Sequence, residues 1–175
     1  MTTVFLGERP AVVESWLEQR ALLGQDRYDE VWAGEYHVVP GPSADHAGVD
    51  ASLADALAPV ARERRLKRLT AFSLGEPDDY RVPDGGLHRF RPSGVFVPTI
   101  AAVIEILSPG DETFAKFGFY AARGVEEILV ADPAARTVRI WCRAEGTGEA
   151  EYEETDHSDL LDVTAASLTA EIDWP

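Results

Sequence analysis

One short stretch constrains this chain more than any other: in Ala101-Ala102-Val103-Ile104-Glu105-Ile106-Leu107 every residue but one is apolar. A strand alternates its side chains between two faces, so it can be apolar on both only where both faces are covered. The stretch therefore predicts a central strand with a packing layer above and another below. Glu105 shares its face with Ala101, Val103 and Leu107. An unpaired carboxylate in that company costs on the order of several kcal/mol, so a cation, a donor or a metal ion is required beside it.

The segments around this strand supply the layers. Val12, Val13, Trp16 and Leu17 recur at helical spacing between Pro10 and Leu23, with Gly24 suited to the residue after the last turn. Tyr28 to Trp32 and Glu35 to Val39 read as a hairpin closed through Ala33-Gly34. From His46 the residues Val49, Leu53, Leu57 and Val60 predict a helix to about Arg65, with a kink expected at Pro59. Arg68 to Leu74 reads as one strand, Gly75 to Asp79 as a turn, and Tyr80 to Phe90 as extended pieces broken at Pro83-Asp84-Gly85-Gly86. Ser108-Pro109-Gly110-Asp111 ends the central strand and caps a helix over Glu112 to Arg123; strands follow at Val125 to Ala131 and Thr137 to Trp141. The alternation predicts an α/β or α+β fold, a mixed central sheet flanked by helices. A single domain over residues 1–175 is expected, with a core at about 25–145, an N-terminal helix and an acidic C-terminal extension.

Charge is distributed unevenly. The chain carries 31 acidic and 16 basic residues, a net charge of −15. After Arg143 there is no Lys or Arg, while ten acids follow from Glu145 to Asp173. By contrast, five of the seven residues from Arg62 to Arg68 are basic, and Arg81, Arg89 and Arg91 come soon after. The total argues against nucleic acid and anionic membranes, while the local run complements a helix C-terminus or makes a basic stripe. Cys142 is the one cysteine, which excludes an intramolecular disulfide and a four-cysteine zinc site. The opening Met-Thr-Thr-Val-Phe-Leu-Gly-Glu-Arg-Pro has no basic region leading into an apolar one, and no apolar run is long enough to span a bilayer; a cytoplasmic protein is expected.

Two positions stand out chemically. Arg is used 14 times and Lys only at Lys67 and Lys116, so a preference for Arg is set aside at these two. An ammonium on a flexible stem does what a planar guanidinium cannot, and Lys116 lies on the helix directly after the Glu105 strand with Tyr120 at i+4. Asp84 sits in Pro-Asp-Gly-Gly, which is also ordinary turn chemistry. His46, at a helix start after Pro42-Ser43-Ala44-Asp45, suits capping or substrate contact, and Cys142 suits core packing.

Asp84, Glu105 and Lys116, together with Ile104-Glu105-Ile106-Leu107-Ser108-Pro109-Gly110-Asp111, Lys116-Phe117-Gly118-Phe119-Tyr120-Ala121-Ala122-Arg123-Gly124-Val125-Glu126-Glu127 and Val130-Ala131-Asp132-Pro133, strongly resemble the Uma2 family of endonucleases. The resemblance covers roughly residues 25–145 and implies the restriction-endonuclease-like fold of the PD-(D/E)XK superfamily. The motif lysine would be relocated to the helix, since Leu107 occupies the position two after Glu105. It implies that Asp84 and Glu105 bind Mg²⁺ or Mn²⁺ and that Lys116 assists, with Glu30 or, as the preferred further acid, Glu35 in the first hairpin. Arg62, Arg65, Arg68, His46 and Tyr120 would contact substrate, with Arg81, Arg89 and Arg91 holding backbone phosphates. The implied partner is DNA, bound weakly because of the −15 charge, to a homodimer. The alternative is a catalytically inactive binding or regulatory homodimer on the same fold, which that charge also suits.

Overall fold

A computed structural model describes residues 3–5, 9–110, 112–144 and 151–175. In chain order its elements are β1 (Thr3–Phe5), α1 (Ala11–Leu22), β2 (Glu30–Trp32), β3 (Glu35–Val38), α2 (Ala44–Glu63), β4 (Lys67–Thr70), β5 (Ser73–Glu76), β6 (Asp79–Arg81) and β7 (Gly85–His88). There follow β8 (Phe96–Val97), β9 (Ala102–Ile106), a 3₁₀ turn (Thr113–Lys116), α3 (Phe117–Ala122), β10 (Glu127–Asp132), β11 (Thr137–Arg143), β12 (Tyr152–Thr155), β13 (His157–Ser158), β14 (Val163–Thr164) and α4 (Ala165–Glu171). The capping role assigned to Asp111, and the acids Glu145 and Glu149, lie outside the described residues.

The central sheet is ordered β12-β11-β10-β9-β7-β4, with β9 and β10 parallel and the other neighbours antiparallel. Strict alternation along β9 separates its two faces. Ala102, Ile104 and Ile106 join Val49, Leu53 and Leu57 of α2 and Leu168 of α4 in one core, whereas Val103 packs with Leu74, Tyr120, Val125 and Ile128 in the other. Glu105 is on the second face, as the period-two reading requires. A second sheet, β1-β3-β2-β6-β5-β8, lies beyond that face and contributes Leu74. The α+β architecture with a mixed, helix-flanked central sheet is thus observed.

Several local expectations are corrected. Arg68 to Leu74 is two strands in different sheets, and Gly75 to Asp79 is the tip of the β5–β6 hairpin, with only Pro77 and Asp78 outside its strands. The expected helix over Glu112 to Arg123 is a 3₁₀ turn followed by the six-residue α3. Gly85 and Gly86 form no turn: they open β7, paired to β4 and β9. A Cβ on Gly86 would stand 2.4 Å from Ile100 Cδ1 and 2.9 Å from the Ala102 carbonyl, so close packing, not positive φ, demands glycine there. The helix α2 runs through Pro59 to Glu63. The acidic segment after residue 150 packs onto the core through Leu161, Leu168 and Ile172. No helix among the described residues is long and apolar enough to cross a membrane.

Candidate active site

The strand β9 ends beside the start of β7, and α2 begins opposite both. A cleft of about 290 Å³ opens where these ends meet the β2–β3 hairpin and the 3₁₀ turn. Glu30, His46, Asp84, Glu105, Ser108 and Lys116 line it.

Asp84 is held from two directions. Its Oδ2 accepts the Ile106 backbone N–H at 2.7 Å, and its Oδ1 lies 2.9 Å from His46 Nε2. The His46 backbone N–H donates to the Ser43 side chain that caps α2, and its Nδ1 is 3.2 Å from Ser108 Oγ. Ser43, not His46, is therefore the cap of the helix, and His46 reaches the site through its ring.

Glu105 is 3% exposed. The Tyr120 hydroxyl, one helical turn after Lys116, donates to its Oε1, and Lys116 Nζ stands 3.4 Å from the same oxygen. The ammonium is closer to Glu30, at 2.9 Å from Oε1. Glu30 also accepts the Val82 backbone N–H at 2.8 Å and the Trp32 indole N–H at 2.6 Å, which fixes it. Burial pushes the Glu105 carboxyl up to about 8; Lys116 and the Tyr120 hydroxyl oppose this, while Asp84 and Glu30 add to it. Burial, and then the neighbouring Glu105, hold the Tyr120 hydroxyl well above its ordinary range, so it stays a donor.

Asp84, Glu105 and Lys116 are brought together with His46 and Tyr120, but the other expected contacts are not. Glu35 is exposed at the hairpin tip, opposite Trp32, and the inward acid of that hairpin is Glu30, opposite His37. The close of the hairpin could have distinguished them: Ala33 and Gly34, both at positive φ, are its two turn residues, so Glu35 must flank the tip. Arg62, Arg65 and Arg68 do not line the cleft. Arg65 lines a separate groove with Arg64, and Arg64 pairs with Asp162 of the acidic segment. Arg81 is buried between the rings of Trp32 and Phe119, its guanidinium carbon 4.4 and 4.1 Å from their centroids, and Arg89 pairs with Glu126 at 2.6 Å.

The donor chemistry suits a divalent cation. Glu30 and Glu105 flank one ammonium, with Asp84 in the same cleft, and burial pushes the Glu105 carboxyl up, which a dication beside it would reverse. Among the described residues no group of three or more His, Cys, Asp or Glu is arranged to hold a metal. A divalent ion bound there would take one or two carboxylates and complete its shell with water and substrate oxygens.

The mixed central sheet, with the buried Glu105 of its central strand facing the lysine of the 3₁₀ turn, has the restriction-endonuclease-like architecture. A solved structure described as a "putative nuclease belonging to DUF820", from Anabaena variabilis ATCC 29413, shares that fold with a TM-score of 0.62 at 16% identity, covering 81% of this chain and 89% of its own. The sequence profile of the Uma2 family, described as "Putative restriction endonuclease", matches residues 16–174, and the chain belongs to that family. No curated protein matches the chain.

Proposed function

We propose that the cleft hydrolyses phosphodiester bonds in DNA as a metal-dependent endonuclease. The observation that carries this reading is the meeting of Asp84, Glu105 and Lys116 in one cleft, each from a different segment of the chain. Asp84 and Glu105 would hold Mg²⁺ or Mn²⁺, which supplies positive charge at the phosphate and lowers the pKa of a bound water.

The chain's own groups do the rest. Tyr120 donates to Glu105 Oε1 and fixes the carboxyl rotamer. The Ile106 N–H and His46 fix Asp84 in the same way. Glu30 keeps the Lys116 ammonium in the cleft, where it orients the attacking water or stabilises charge developing on the phosphorane. Because the basic run lies elsewhere, DNA is held mainly at the cleft, and binding is weak and, with few phosphates neutralised, falls only gently with salt.

Cleavage of DNA with Mg²⁺ or Mn²⁺, lost in Glu105→Gln and in Lys116→Ala at matched purity, is the expected result. Equal cutting by both variants overturns the reading. A thermal shift with Mn²⁺ that disappears in Asp84→Asn supports the metal site independently of turnover; no shift at millimolar metal favours a binding protein on this fold.

A further inference from the structure

A second feature adjoins the cleft. Phe114 is the second residue of the turn that carries Lys116, and it is 49% exposed. Beneath it lies an aromatic cluster: Phe114 is 5.4 Å from Phe117 and 5.7 Å from Trp141, and Phe117 is 5.6 Å from Tyr152, centroid to centroid. The Arg139 guanidinium spans its edge, 5.5 Å from the Phe114 ring and 4.9 Å from that of Trp141. It pairs with the Glu154 carboxylate at 3.9 Å, and about a third of the Arg139 side chain is open to solvent.

Sheet register ties this cluster to the site. Val130 pairs with Glu105 on one side and with Arg139 on the other, so the three form one row across β9, β10 and β11 on the same face. Strands are about 4.8 Å apart, which puts the Arg139 backbone about 10 Å from that of Glu105, a span that a neighbouring nucleotide bridges. Phe114 and Lys116 belong to one short turn, two residues apart.

We propose that Phe114 and Arg139 form a stacking shelf for an unpaired nucleobase beside the scissile phosphate, which makes the substrate single-stranded or locally unpaired DNA. The proposal rests on the nuclease reading and specifies its substrate. An open aromatic face flanked by a guanidinium takes up a base by stacking and cation–π attraction without reading its identity. Duplex bases are already stacked on one another and present no face to it. The shelf also supplies what the chain's −15 charge denies to long-range attraction, an attachment that does not depend on net charge.

The test is an anisotropy titration of labelled single-stranded and duplex oligonucleotides of one sequence, at low salt in EDTA, followed by cleavage of both with Mg²⁺. Wild type binds the single strand at least about tenfold more tightly; Phe114→Leu weakens that binding about fivefold or more and leaves the duplex unchanged, while Phe114→Trp keeps the preference. Arg139→Gln, on the solvent side of the cluster, weakens single-strand binding without disturbing the core and serves if Phe114→Leu fails to fold. An abasic position next to the cut site weakens wild type and leaves Phe114→Leu unaffected. Equal affinity for the two forms, binding of neither, or a preference that survives both Phe114→Leu and Arg139→Gln overturns the shelf. Wild-type cleavage with Mg²⁺ in that event leaves the nuclease reading standing; absence of cleavage of either form overturns both.

Discussion

The Lys116 ammonium is bound more closely to Glu30, at 2.9 Å, than to Glu105, at 3.4 Å. Glu30 belongs to the β2–β3 hairpin, early in the chain and well before Lys116, and three donors hold its two oxygens. A lysine so anchored keeps its position whatever the state of Glu105.

Removing that anchor should cost both stability and cleavage. Glu30→Ala strands a buried ammonium and the Val82 and Trp32 donors, and is expected to destabilise the fold by about 3 kcal/mol or more. Glu30→Gln keeps an acceptor and loses less. Denaturant unfolding gives the first quantity; single-turnover cleavage by Glu30→Gln should fall while its Mn²⁺ affinity stays close to wild type, because Glu30 positions the lysine and does not hold the ion.

The raised Glu105 pKa gives the metal-free protein an unusual pH profile. The folded carboxyl keeps its proton up to about 8, whereas the unfolded one releases it near 4.5. The folded state therefore binds the extra proton across that window, and its stability falls as pH rises from about 4.5 to 8. Glu105→Gln, which imitates the protonated form, should show a flatter profile, and the gap between the two melting curves should widen with pH. Mn²⁺ should narrow it, bind more tightly at pH 8.5 than at pH 6, and release a proton that calorimetry in two buffers detects.

Gly86→Ala is expected to destabilise by about 1–3 kcal/mol, because its Cβ meets Ile100 and the Ala102 carbonyl with no space to yield. Gly85→Ala, whose nearest contact would be the Leu69 carbonyl at 3.1 Å, should cost less. If β7 positions Asp84, metal affinity falls with Gly86→Ala more than stability alone explains, which a Mn²⁺ titration at a temperature where both proteins are folded measures.

Burial, then Glu127 and Asp159, push the Cys142 thiol up to about 11. At pH 8 it is almost entirely protonated, and the thiolate is the reactive species. Alkylation by iodoacetamide should be many times slower than for free cysteine at that pH and should reach the free rate on unfolding; mass spectrometry of quenched samples follows it.

Part of this was legible in the sequence because local pattern and tertiary role coincide. An apolar run with one carboxylate reveals both a central strand and its buried acid, and a lysine in an arginine-rich chain marks a position where guanidinium does not serve. Other parts were hidden because the deciding contact comes from elsewhere. Pro83-Asp84-Gly85-Gly86 has the composition of a turn, and only Ile100, from another segment, explains why its glycines are in a strand. Arg81 reads as a free cation until Trp32 and Phe119 close over it. Leu161, Leu168 and Ile172 are core residues, but the acids around them give their segment the appearance of a solvated tail.

The cleft borrows its groups from the hairpin, the start of α2, the approach to β7, the end of β9 and the turn before α3, and no neighbouring pair of these segments contains a working set. Asp84 is aimed by Ile106 and His46, and Lys116 by Glu30, each from a separate segment of the chain. On the nuclease reading, a nascent or partly unfolded chain is harmless to DNA: cutting begins only when the last of the long-range contacts closes, so folding itself acts as the safety catch.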